Sequence, residues 1–305
     1  MKRWVLALGV LALAACEREA QVANPAAECE TLRDRDARIA ACTAAAEDEN
    51  YTADVRAGAL ATRASLREEA GETTPALRDY EAALRLDHAN ANALLGRGRI
   101  LLASGQLDAA GPLLVRAQAA EPSAESSFLL GQIALQRGHY PDAVERFDAA
   151  LSAERNSALA LSGRARAKQR MGDLDGAAAD YDAAVRADGA LAEARAGRCW
   201  LDLNQDRNLP RARNDADAAV TADPRNVDAQ LCRGVLQLRD GEWANARASF
   251  DAALAVEPGN PTALFGRGVA RRRSGDNEGR EDMNLARDFD GRIGEAFDDM
   301  GVETY

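Results

Sequence analysis

Small and apolar positions recur along this chain about every 34 residues. Gly98, Gly105 and Ala110 return as Gly131, Gly138 and Ala143, then as Ala165, Gly172 and Ala177. After one slip they return again as Gly234, Gly241 and Ala246. A fixed period of that size belongs to a stack of supersecondary units, each burying its apolar face on the next. From Cys29 onward the pattern predicts successive helical hairpins. Small residues let paired helices close, and a glycine ends each first helix where a left-handed turn is needed.

The spacing resembles that of tetratricopeptide repeats, with a small residue at position 8, glycine near 15, alanine at 20 and 27, an aromatic at 24 and proline at 32. Repeat two carries Ala64, Gly71, Ala76, Tyr80 and Ala83. Repeat three carries Gly98, Gly105, Ala110, Leu114, Ala117 and Pro122, and repeat four Gly131, Gly138, Ala143, Phe147 and Ala150. Repeat five has Ala165, Gly172, Ala177, Tyr181 and Ala184. Repeat seven has Gly234, Gly241, Ala246, Phe250, Ala253 and Pro258. The resemblance implies an all-α, right-handed superhelical solenoid of hairpins, in which the position-24 aromatic wedges between adjacent repeats.

Three stretches depart from it. Repeat six has Cys199 at the small position, an inserted residue within 204–210 and Ala216 at the aromatic place, which predicts a local gap or bend. Repeat eight keeps Gly268 and Gly275 but loses the second-helix pattern, and a last helix is expected near Ile293 to Met300. Repeat one, from Cys29 to about Asn50, is atypical. The expected organisation is therefore a capping hairpin over 29–56, the array over 57–260, and a last repeat with a C-terminal capping helix over 261–305.

Before the array stand Met1-Lys2-Arg3, an apolar run from Trp4 to Ala15, and Cys16. A basic start and a run too short to span a bilayer are signal-peptide features. Leu13-Ala14-Ala15-Cys16 matches the lipobox of bacterial lipoproteins, which implies a leader over 1–15 and acylation of Cys16. Glu17, rather than aspartate, after the cysteine favours outer-membrane sorting by the same resemblance, with the chain facing the periplasm. Residues 17–28 lack helical periodicity, so 16–28 is expected to be lipidated cysteine plus flexible tether, twelve residues reaching at most roughly 40 Å.

Loss of Lys2 and Arg3 with the leader leaves 36 basic residues against 49 acidic ones, a net charge of −13. That argues against nucleic acid and makes membrane attachment a matter of lipid chains. With Cys16 assigned to lipid, Cys29, Cys42, Cys199 and Cys232 are left, an even number suited to an oxidising compartment. Cys29 with Cys42 would pin the first hairpin. Cys199 and Cys232 stand on neighbouring first helices, either bonded or as two buried thiols.

No cofactor or metal motif appears. His88 and His139 are the only histidines, both between helices, and HExxH, a P-loop and a strand-borne GxGxxG are all missing. Asp173–Gly176 and Asp288–Gly291 reach glycine too early for a calcium loop, so a turn or cap role is expected. Arginine recurs at position 7 as Arg63, Arg97, Arg164, Arg198, Arg233 and Arg267. These could form a ladder for a ligand, but salt bridges to acids such as Asp79 or Asp180 are the stronger expectation.

Function is read as scaffolding rather than catalysis, the many acids lying on polar helix faces with no insert to build a pocket. The resemblance extends to NlpI-type adaptor lipoproteins, which bring cell-wall enzymes together. Outer-membrane protein assembly and type IV pilus pilotin roles are the alternatives it leaves open. In the resembled family, positions 2, 5, 9, 12 and 13 of each first helix line the concave face. Here they hold Arg99, Arg166, Arg170, Arg239, Arg272 and Arg273 against Glu125, Glu193 and Asp228, together with Leu95, Phe128, Trp200, Leu231, Val235 and Phe265. The expected partner is an envelope-protein segment, acidic with apolar anchors.

Overall fold

The computed structural model describes residues 24–303. Among them it places seventeen helices and no strand. They are α1 (Pro25–Thr31), α2 (Arg35–Glu47), α3 (Ala53–Glu69), α4 (Thr73–Leu86), α5 (Ala91–Ala103), α6 (Leu107–Ala120), α7 (Ala124–Gln136), α8 (Tyr140–Ala153) and α9 (Ala158–Met171). Then follow α10 (Leu174–Ala187), α11 (Ala192–Asn204), α12 (Leu209–Ala222), α13 (Val227–Arg239), α14 (Trp243–Val256), α15 (Pro261–Arg273), α16 (Gly279–Phe289) and α17 (Ile293–Asp299). The chain divides into two compact units, one up to Gly96 and one from Arg97. The leader, Cys16 and the tether up to residue 23 lie outside the described residues.

In the first unit, α1 corrects the expected tether. Helix starts at Pro25, because Asn24 accepts the Ala27 amide at 3.2 Å and proline at the first helical position loses no hydrogen bond there. Cys29 on α1 and Cys42 on α2 are joined, their Cα atoms 4.6 Å apart. Helix α3 already begins at Ala53, ahead of the expected boundary at 57. Tyr80 is buried, and a β-carbon on Gly96 would clash with its ring.

The second unit repeats one hairpin plan. Serine or asparagine starts most first helices: Ser123, Ser157, Asn226 and Asn260 each accept the amide three residues on. Asp173 caps α10 in the same way through the Gly176 amide, which is the turn role its sequence suggested. First helices end on glycines with φ near +80°, as at Gly172 (φ +85°), which releases the chain into the second helix. In repeat six that turn carries the extra residue instead, and Asp206 and Asn208 adopt positive φ, residue types that tolerate it.

Adjacent repeats are joined by the aromatic wedge. Phe147 is fully buried, and a β-carbon on Gly131 of its own repeat or Gly163 of the next would stand 2.8 or 2.5 Å from its ring. Repeat six has only Ala216 there. In its place the Cys199–Cys232 disulfide, Cα atoms 6.4 Å apart, links α11 to α13 within the same buried cluster.

Of the position-7 arginines, Arg63, Arg164, Arg198 and Arg267 are structural. Arg164, Arg198 and Arg267 each make a bidentate bond, at 2.6 to 2.8 Å, to a buried aspartate in their own second helix: Asp180, Asp215 and Asp282. The same guanidinium then reaches back to Asp148, Asp182 or Asp251 of the preceding repeat. In the first unit Arg63 holds Asp79 likewise. In repeats five, six and eight one side chain thus stitches the hairpin shut and ties it to its neighbour, whereas Arg233 of repeat seven bonds Ser249 and Gln230 instead.

Repeat eight departs from expectation, because it does form a second helix, α16. Its pattern is masked by one missing residue and by Gly279 at the closing position. There α15 and α16 come so near that a β-carbon on Gly268 would stand 2.6 Å from the Gly279 carbonyl oxygen. Met283 takes the wedge position, buried.

Candidate partner-binding face

First helices α7, α9, α11 and α13 line a cavity of about 940 Å³. Its walls follow the position numbers. Positions 9 and 13 contribute Gln132 and Gln136 from α7, Arg166 and Arg170 from α9, and Trp200 and Asn204 from α11. Position 2 contributes Glu193 and Asp228, and Tyr140 opens α8 at the rim. Five of the residues expected on this face, Arg166, Arg170, Trp200, Glu193 and Asp228, therefore meet at one site. The amides Gln132, Gln136, Gln169 and Asn204 were missed, although they occupy the same positions; an inventory of charge and hydrophobicity passes over neutral polar groups.

Position 9 of one repeat lies against position 2 of the next. Arg99 pairs in this way with Glu125, and the Trp200 indole donates to the Asp228 carbonyl at 3.0 Å. Trp200 is thereby held half-buried with its ring on the cavity wall. Arg166 and Arg170 are exposed and meet no carboxylate at ion-pairing distance among the described residues. Arg170 lies 5.5 Å from the centre of the Tyr140 ring, a cation–π contact that fixes its direction without neutralising it. On the floor Tyr181 is buried and donates to Gln169 at 3.2 Å. Burial pushes its hydroxyl well up, Asp228 and Glu193 add to that, and Arg166 opposes them.

The remaining expected residues lie elsewhere. Leu95 is half-buried in the first unit. Phe128 is half-buried, leaning on Phe147 with ring centres 5.9 Å apart. Leu231, Val235 and Phe265 are not groove-lining: they are 5%, 0% and 0% exposed. The reason is the chain's own C-terminal segment. Phe297 on α17 packs on Phe265 at 4.9 Å, and Met300 and Val302 join the same buried cluster. A β-carbon on Gly301 would stand 3.2 Å from the Arg239 guanidinium. Arg239 also bonds Asp206 at 2.8 Å. Arg273 donates to the Glu303 carbonyl at 2.9 Å and faces its carboxylate at 3.4 Å. From Leu231 onward in repeats seven and eight this face is already filled.

Among the described residues no cluster of histidine, cysteine or acidic side chains could hold a metal ion. No described helix is long and apolar enough to cross a membrane.

A family profile described as tetratricopeptide repeat matches residues 61–125, 128–192, 201–254 and 233–279. No curated protein matches the chain significantly. Among solved structures, a tetratricopeptide repeat protein from Parabacteroides merdae is similar with TM-score 0.56 and 17% identity, over 80% of this chain and 98% of that one. The Pseudomonas aeruginosa PilF structure gives 0.55 and 16%, over 70% and 96%. The Cut9–Hcn1 hetero-tetramer of the APC/C gives 0.63 and 14%, over 79% of this chain and 49% of that one, so this chain spans about half its length. At such identities the likeness is one of fold.

Proposed function

Because the chain belongs to the tetratricopeptide-repeat family, its matched repeats covering most of its length, we propose that it is a scaffold that holds a segment of another protein in the α7–α13 cavity. The cavity carries this reading: it joins an indole, the exposed guanidiniums of Arg166 and Arg170, the carboxylates of Glu193 and Asp228, and a row of amides on consecutive first helices. Amides bond a peptide main chain, the arginines select acids, and the indole supplies apolar contact. Arrays of this kind are generally non-catalytic and present such surfaces to partners.

The leader and lipobox sequence supports an address as well. In this reading Cys16 is acylated, the chain is anchored in the outer membrane, and the array faces the periplasm, where the partner is an envelope protein of the NlpI-adaptor kind. The disulfide pairs fit an oxidising compartment.

Two experiments test this. Cys16→Ser should release the protein from the outer-membrane fraction or leave it with an uncut leader; a processed protein still floating with outer membranes would defeat the anchor. For the cavity, envelope proteins crosslinked to wild type are identified by mass spectrometry, then recaptured on Trp200→Ala and on Arg166→Glu with Arg170→Glu. Each should lose on the order of tenfold in affinity at unchanged helix content. Equal capture by both variants would move the binding site off this face.

A further inference from the structure

The repeat symmetry places one arrangement at two points on the chain. In repeat eight, the position-13 arginine Arg273 lies 5.8 Å from the ring centre of Trp243, the first residue of the preceding second helix. In repeat five, the position-13 arginine Arg170 lies 5.5 Å from the ring centre of Tyr140, which is again the first residue of the preceding second helix. At the first point the guanidinium is engaged by the chain itself: Glu303 offers both its carbonyl and its carboxylate, next to the buried Val302 and Met300. At the second point the cation has no carboxylate among the described residues, and the cavity beside it is open.

We propose, building on the scaffold reading above, that the open site takes an extended partner segment of the same chemistry as Met300–Glu303. An apolar residue is followed by an acidic one, whose carboxylate sits on Arg170 as Glu303 sits on Arg273. The C-terminal segment is thus an intramolecular copy of the ligand. At Arg170 itself charge favours this occupant, because its guanidinium has no ion-paired carboxylate among the described residues; Arg166, one helical turn away on the same face, is offset by Glu193 and Asp228 on the same cavity. The aromatic contact holds Arg170 aimed, so binding costs less side-chain freedom. Trp200 supplies the apolar wall that the buried cluster supplies at the other point. Gln132, Gln136 and Gln169 stand along the same cavity to bond the main chain.

The test uses a fluorescein-labelled synthetic peptide with the sequence of residues 298–305, added in trans to the full chain and followed by fluorescence polarisation. Saturable binding is expected. It should weaken about tenfold when the peptide carries Glu303→Gln, and by a similar factor when the protein carries Arg170→Glu or the milder Arg170→Gln, as for loss of a charge-assisted bond. Arg273→Glu in the protein should leave the affinity of the added peptide unchanged, since that arginine serves the internal copy. No saturable binding, or binding indifferent to Arg170 and to the peptide's carboxylate, overturns the proposal. The scaffold reading stands or falls separately: if crosslinked partners still depend on Trp200 while the peptide does not bind, only the ligand chemistry is wrong.

Discussion

Asp215 is 1% exposed and accepts from both Arg195 and Arg198 at 2.7 to 2.8 Å. Asp215→Ala would leave two guanidiniums facing a buried, unpaired space. It should cost about 3 to 5 kcal/mol, read as a lower urea midpoint, whereas the exposed Asp175→Ala should change it little. Asp180 gives the pH counterpart. Burial pushes its carboxyl up, but bonds from Arg164 and Lys168 outweigh that and hold it below the ordinary carboxylate range. A lowered folded pKa means that its contribution is complete above about pH 4, the unfolded value, and is lost as pH falls through the folded one. The melting temperature of wild type should therefore fall more between pH 5 and pH 3 than that of Asp180→Asn. A parallel fall in both would remove the assignment. These aspartates, always just before the wedge position, were only partly legible in the sequence. Period 34 identifies Arg164 and its kin, and Asp79 and Asp180 are plausible partners, yet nothing in a linear pattern says that one guanidinium serves two repeats.

At the scale of elements, the hairpins were readable because each obeys one rule of small residues and turn glycines. Failures came where a rule was satisfied by another residue type. α16 closes on Gly279 instead of alanine, and α1 is short but capped by Asn24. The site was legible at positions 2, 9 and 13 around repeats five and six, but Leu231 and Phe265 at position 5 and Val235 at position 9 turn into the packing between elements. That outcome depends on a C-terminal segment whose docking no periodicity encodes. Repeat six, expected to gap, is braced by Cys199–Cys232 in place of the aromatic wedge. Cys199→Ala with Cys232→Ala should lower stability by about 2 to 4 kcal/mol, with the loss centred on α11 to α13 in hydrogen exchange. Thiol titration of denatured, unreduced protein should find Cys29, Cys42, Cys199 and Cys232 all blocked; four free thiols would remove both bridges.

For the molecule as a whole, the double reach of the position-7 arginine makes repeat five a cassette that matches itself. Residues 158–191 carry Arg164 to receive Asp148 from upstream and Asp182 to offer to Arg198 downstream. They also carry Gly163 to admit the upstream Phe147 and Tyr181 to enter beneath the downstream Gly197. Their outgoing half matches their incoming half. A tandem copy of 158–191 inserted after residue 191 would meet itself with Asp182 against Arg164 and Tyr181 against Gly163, so the new junction reproduces the native ones. The lengthened protein should fold with a melting temperature at least equal to that of wild type, whereas a copy shifted to begin at residue 170 should aggregate or melt lower. Such a chain can change length by whole units while each seam stays intact, which is how an array of this kind can be lengthened by duplication without redesigning its core.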